Sequence, residues 1–307
     1  MIKKKYFVSV CIGMILSCAI YGNVADAEEM NNVTVHTQES SDAFAEAQEA
    51  EQDMEETTYT VTVNNVGYTT LQDAVDQAES NSTIILNTDI QENDIAFSMD
   101  KALVLDLNGY MLDTNKSIIN EKNLTITDSK QTGKKVVEVT EGEHIIYTAD
   151  DSVNIDFLGG SLRMDYKDSA GNPYYTKTSL RFGYQIYAKN DVNIDDWKWD
   201  YGTNAEKLSG TVIGKKKTDT SDGFVSNLVV TDIPYKYYET KIYSKLYITY
   251  DKGDGKRYLL VDDIQSRTVL NVVNEIVKDS TSTEQEVVYA KGLKSLYDEE
   301  NKWTGYH

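Results

Sequence analysis

Apolar and polar residues alternate along "TYTVTVNNVGYTTLQDAVDQAESNSTIIL". Tyr59, Val61 and Val63 share one face, which predicts a strand, and Asn64-Asn65 supplies the turn that ends it. Leu71, Ala74, Val75 and Ala78 then fall at i, i+3, i+4 and i+7, one face of a short helix. Thr70 and Asp73 give that helix an N-cap with a short capping box. From Ile84 to about Tyr166 the pattern changes to short strands separated by turn residues. Apolar pairs recur at Ile84/Leu86, Leu103/Leu105, Leu124/Ile126 and Val153/Ile155, spaced by 19, 21 and 29 residues. The last interval holds two further runs, Val136–Val139 and Ile145–Tyr147. Short strands at intervals of about 20 residues, with no helix between them, predict a solenoid of stacked coils.

Residues 167–175, "KDSAGNPYY", carry Gly171 and Pro173 and read as a linker. Strict alternation follows. Ile242, Leu246, Ile248 and Tyr250 share a face with Ser244, while Tyr243, Lys245 and Tyr247 lie on the other, the pattern of antiparallel strands with one wet side. "DKGDGK" reads as a hairpin loop between two such strands. About six strands over residues 176–278 predict a β-sandwich. Val269, Val272, Val273 and Ile276 predict a short closing helix, with Ser266 or Thr268 as its cap. Residues 279–307 read as a polar C-terminal tail, helical in part, with an apolar patch at Leu293, Leu296 and Tyr297.

"YTTLQDAVDQAESNSTIIL", "LVLDLNGYML" and "NLTITDS" together resemble the start of right-handed parallel β-helix proteins of the pectate-lyase-like group. The resemblance covers residues 58–165 and implies a short parallel β-helix over residues 58–166 whose open end is capped by the first helix. "LRFGYQI", "IDDWKWDYG", the Tyr243–Tyr250 strand and "SRTVLNVV" resemble a small accessory domain of exported Firmicutes proteins. The fold class expected is therefore all-β: a short parallel β-helix with an N-terminal capping helix, then an antiparallel β-sandwich with one short helix.

Composition changes this picture mainly at the N-terminus. Lys3, Lys4 and Lys5 precede an apolar run from Tyr6 to Ile20, and Ala25-Asp26-Ala27 is a small-x-small site, which together predict a signal peptide over residues 1–27. A rival reading takes Ile15-Leu16-Ser17-Cys18 as a lipoprotein box acylated at Cys18, which Leu16 fits poorly. Residues 28–57 hold ten acids and no lysine or arginine, and read as a disordered acidic spacer. Cleavage would remove three lysines and one aspartate, leaving 27 basic against 49 acidic residues, net −22. That excess argues against nucleic acid and anionic membranes as partners. Cys11 and Cys18 both lie in the leader, so the mature chain has no thiolate and no disulfide. His36, His144 and His307 lack ligand spacing, which argues against zinc. The expected location is outside the cell or on its surface, with no membrane span in the mature chain and no anchor at the C-terminal end.

The β-helix resemblance implies an enzymatic alternative, a lyase or hydrolase acting on acidic glycans. Such a lyase needs a basic residue beside a calcium-neutralised carboxylate. Arg163 with Asp106 and Asp156 are the catalytic candidates, although Asp106, Asp128 and Asp156, spaced by 22 and 28, do not align on one face. About five coils of about 4.8 Å make a stub too short for a substrate groove. Fold analogy alone does not carry function. In "LVLDLNGYML" the leucines are expected to point inward, Asn108-Gly109 to turn the chain, and Asp106 to be a solvated strand-end acid. The favoured reading is a non-catalytic binding, adhesin-like or structural protein at the cell surface. Its glycan-binding candidates are Tyr243, Tyr247, Trp199 and Tyr237, rings that could stack on sugar faces. No cofactor is required, and calcium enters only through the lyase alternative or through Asp251 and Asp254 in the hairpin.

Overall fold

The computed structural model describes residues 58–119, 123–164, 166–214 and 223–304. The signal-peptide, Cys18 and acidic-spacer readings fall on residues 1–57, outside those described. β1 (Val61–Val63) and β2 (Val66–Tyr68) form a hairpin across Asn64 and Asn65, whose φ values of 49° and 66° suit asparagine. α1 (Leu71–Gln77) follows, with Thr70 Oγ1 accepting from the Asp73 amide as the sequence predicts. Its first two amides, Leu71 and Gln72, also donate to the Glu92 carboxylate at 2.8 and 2.9 Å, a distant cap that local spacing could not reveal.

The next strands are β3 (Thr83–Leu86), β4 (Ile90–Gln91), β5 (Leu103–Asp106), β6 (Leu112–Thr114) and β7 (Leu124–Thr127). β3, β5 and β7 pair in parallel, as do β4 and β6. Parallel pairing stops there, and the expected parallel β-helix is not formed. β8 (Lys135–Glu141) and β9 (His144–Asp150) are joined by only Gly142 and Glu143, and a two-residue link permits antiparallel pairing alone. β9 then pairs antiparallel with β6. Val153 and Ile155 are not a further rung either. They begin β10 (Val153–Arg163), which runs antiparallel to β11 (Lys177–Ala188) in a different sheet.

The remaining elements are β12 (Asn193–Gly202), β13 (Gly210–Ile213), β14 (Phe224–Pro234), β15 (Ile242–Asp251), β16 (Arg257–Val261), β17 (Gln265–Arg267), α2 (Val269–Lys278) and α3 (Glu284–Thr304). Among the described residues the fold is mostly β, in three sheets. One runs β2-β1-β3-β5-β7, the second β10-β11-β14, and the third β13-β12-β15-β16-β8-β9-β6-β4 with β17 beside β15. Three helices are present among the described residues, the two expected and a third in the tail expected to be helical in part. α2 is capped by Thr268, and residues read as a polar tail form α3, which docks Tyr289, Ala290 and Leu293 in the core. No helix among the described residues is long and apolar enough to cross a membrane.

The large sheet buries parts of both its faces. Trp197, Trp199, Leu246, Ile248 and Leu260 pack on one side against Leu180, Phe182 and Tyr184 of the three-stranded sheet, a sandwich core. Tyr184 Oη and Ser244 Oγ share a 2.6 Å hydrogen bond across it, and burial pushes the Tyr184 phenol up to about 12. At the β9-β6-β4 end, Tyr147, Leu112 and Ile90 pack on the opposite side in a second core with Leu71, Ile84 and Leu105. The alternation along β9 divides it between the cores, Ile146 entering the first and Tyr147 the second.

Asp150, at the end of β9, accepts from Tyr250 Oη at 2.8 Å, Lys252 Nζ at 2.7 Å and Ser152 N at 2.8 Å. Burial pushes its carboxyl upward, but Lys252, Tyr250 and Ser152 outweigh burial and hold it below the ordinary carboxylate range. A depressed carboxylate contributes its full stability above its unfolded pKa of about 4, and that stability is lost as pH falls through the lowered value. Asp150→Asn is therefore expected to lower the urea midpoint near neutral pH. The gap between variant and parent should narrow as pH falls through the lowered value, because the Asp150 side chain becomes neutral there.

Candidate functional site

The three catalytic candidates are not brought together. Asp106 ends β5 in the five-stranded sheet, whereas Asp156 and Arg163 lie in β10 of the three-stranded sheet. Seven residues of extended strand separate the latter two, about 23 Å. Asp106 is also not a solvated acid. It is 8% exposed, and its Oδ1 accepts from the amides of Asn108 and Ser129, each at 2.9 Å. Its carboxylate holds the corner between successive parallel strands. Asn108 and Gly109 turn there with φ of 52° and 90°, as the sequence implies.

A more promising surface is the outer face of the nine-stranded sheet. The five-stranded sheet covers only its β9-β6-β4 end, so β8, β16, β15 and β12 present side chains into the angle left between the two sheets. Two adjacent clefts occupy that angle. A cavity of about 370 Å³ is lined by Thr140, Asp196, Lys198, Thr249 and Arg257, together with Tyr247. A second, of about 440 Å³, meets it at Tyr247 and runs to Leu124 and Ile126 of β7, with Lys245, Asp262 and Asp263 on its walls. The alternation of β15 sets this up, since Ile242, Ser244, Leu246 and Ile248 are buried while Tyr243, Lys245 and Tyr247 face outward.

The charges around Tyr247 are closely packed. Lys198 Nζ stands 4.4 Å over its ring and 3.3 Å from Asp200 Oδ2, while Thr211 donates to Asp200 Oδ1 at 2.7 Å. Burial, with Asp200 adding to it, pushes the Tyr247 phenol up to about 12. Burial lowers the Lys245 ammonium from its ordinary value despite Asp263 and Asp200. Burial likewise raises the Asp262 carboxyl against the pull of Lys135, whose Nζ is 3.8 Å from it. A half-buried ring, a desolvated amine and a desolvated carboxylate thus share one concave surface, suited to a ligand carrying both apolar and hydrogen-bonding groups.

The other glycan candidates are scattered. Tyr243 lies on the same outer face of β15, opposite Gly202 and Ser266. Tyr237 is 48% exposed in a 3₁₀ turn after β14, with Lys236 over its ring at 4.9 Å. Trp199 is 2% exposed inside the sandwich and offers no face to a ligand. Lys198, Lys245, Asp200 and Arg257 were not singled out by sequence reasoning. For Lys245 the signal was present, because alternation already placed it on the face of Tyr247. The neighbours on β12 and β16 required the strand order.

No protein-family model matches the chain, and no curated protein matches it. The resemblance to a Firmicutes accessory domain is therefore not upheld, as the β-helix resemblance is overturned by the antiparallel pairing. Several solved structures share weak likeness, among them the following three. The putative ApaA protein from Bordetella pertussis is 7% identical, with a TM-score of 0.26 over 44% of this chain and 95% of its own. A DUF3823 family protein from Bacteroides uniformis is 8% identical, with a TM-score of 0.26 over 48% of this chain and 60% of its own. One from Bacteroides ovatus is 9% identical, with a TM-score of 0.23 over 45% of this chain and 90% of its own. Likeness at this level identifies no family for the chain.

Proposed function

We propose that this chain is an exported, non-catalytic binding protein that takes a glycan on the outer face of the nine-stranded sheet around Tyr247. The observation that carries the reading is the Tyr247 ring, which forms a common wall of two clefts and has hydroxyl and charged groups within its reach. Sugars present C–H faces that stack on aromatic rings and hydroxyls that need both donors and acceptors. Thr140, Thr249, Arg257 and Asp196 supply that mixture. A sugar stacking on the ring would displace Lys198, whose ammonium stays paired because Asp200 is already beside it. Export is supported by the lysines and apolar run ahead of Ala25-Asp26-Ala27.

The test is a glycan array probed with the chain lacking residues 1–27, followed by calorimetric titration of any hit. Tyr247→Ala should weaken binding about tenfold, the loss expected for one stacking ring. Tyr237→Ala should leave binding unchanged. Absence of binding to every glycan would refute the reading.

A further inference from the structure

We propose that the free edge of β7, with the cleft beside it, binds an extended basic peptide segment of a partner protein by adding it as the next strand of the sheet. The inference does not rest on the glycan reading. It starts from the register of β5 and β7, in which Leu103 lies opposite Leu124 and Leu105 opposite Ile126. The Leu103 amide donates to Asn123 O at 2.7 Å and the Leu107 amide to Thr127 O at 2.8 Å. In a parallel ladder, the backbone groups of Asn123, Thr125 and Thr127 therefore face β5. Those of Leu124 and Ile126 face the other way. β7 ends its sheet, so among the described residues no strand receives them.

The same two residues line the cleft of about 440 Å³. Their side chains are half-buried, with Val136, Val261 and Ile264 continuing the apolar floor, and Ile264 is 42% exposed. An open edge next to an apolar floor matches a peptide better than a small molecule. The edge offers donors and acceptors at the two-residue repeat of a strand, and the floor accepts alternate side chains. Four residues of β7 span about 13 Å, enough to register a peptide of four to six residues.

Charge selects the kind of segment. Among the described residues, Glu206, Asp262 and Asp263 stand in the cleft wall with Lys245, and Lys135 lies 3.8 Å from Asp262 and 3.6 Å from Asp263, whose side chain is still 85% exposed. The whole chain carries a formal charge of −20, so an acidic segment or a second copy meets repulsion while a lysine- or arginine-flanked strand is attracted.

The test uses the full mature chain, labelled with nitrogen-15, and two pools of capped hexapeptides. One pool alternates valine or isoleucine with lysine or arginine, and the other alternates them with aspartate or glutamate. The basic pool should shift the backbone amide signals of Leu124 and Ile126 and protect them from hydrogen exchange. Its best binder should weaken at least about tenfold when alternate peptide amides are N-methylated, because side chains are kept and ladder donors removed. Ile126→Pro should weaken it similarly while costing no ladder bond, since that N–H points away from β5. Tyr237→Ala, whose ring lies in neither cleft, should leave peptide binding within about twofold. Equal binding of the methylated peptide, equal binding of the acidic pool, or no shift at Leu124 and Ile126 would each overturn the proposal. So would shifts at those amides that track protein concentration, which would assign the edge to a second copy.

Discussion

Trp197→Ala is expected to lower the unfolding free energy by about 3–5 kcal/mol, the range for deleting a fully buried aromatic side chain. Trp197 is 2% exposed, its ring centroid lies 4.8 Å from that of Phe224, and its Nε1 donates to Ser226 Oγ at 3.0 Å. It thus joins the large sheet to the three-stranded sheet by both packing and a polar bond. Gly214 confirms how close the fit is, because a Cβ there would collide with the indole. Truncation leaves a cavity and an unpartnered Ser226 hydroxyl together. Urea unfolding followed by far-ultraviolet circular dichroism measures the loss. A cost below about 1 kcal/mol would show that the two sheets do not depend on this contact. Trp199 makes a sharp contrast. Its Nε1 is buried without a partner, so Trp199→Phe removes an unsatisfied donor while losing volume and should cost less than Trp197→Phe.

Asp106→Ala is expected to cost about 2–4 kcal/mol, since two partly buried amides lose their acceptor at once. Asn108 N and Ser129 N both donate to Oδ1, one within the turn and the other on the next rung. Asp106→Asn keeps an acceptor oxygen at that place and should recover most of the loss. If Asn and Ala are equally destabilising, charge rather than hydrogen-bond geometry holds the corner. The same denaturation experiment distinguishes them, provided the transition stays cooperative.

Much local structure was legible because it depends on neighbours a few residues away. The Thr70–Asp73 cap, the inward leucines of 103–107, the Asn108-Gly109 turn and the two faces of β15 all follow from spacing and turn chemistry. The β-helix expectation failed because periodicity reports how far apart strands lie along the chain, and not which way they pair. The informative signal was "EGEH", a link too short for a parallel return. Asp106 was misread for a related reason. One of its two amide donors, Ser129, lies 23 residues away. The site was half legible: Tyr247 and Lys245 share a strand face, while Lys198, Asp200 and Asp262 reach them only through strand order.

By itself the sequence determined the β-rich class, the helix caps, the turn positions and the strongly acidic balance, all properties of composition or of short windows. Tertiary structure alone decided that β8 and β9 close into a hairpin, and that one large sheet serves two cores. It also decided that the edge of β7 opens beside Tyr247. Those outcomes depend on contacts between residues tens of positions apart. Such contacts are selected by the best joint burial of apolar faces, which no local pattern encodes.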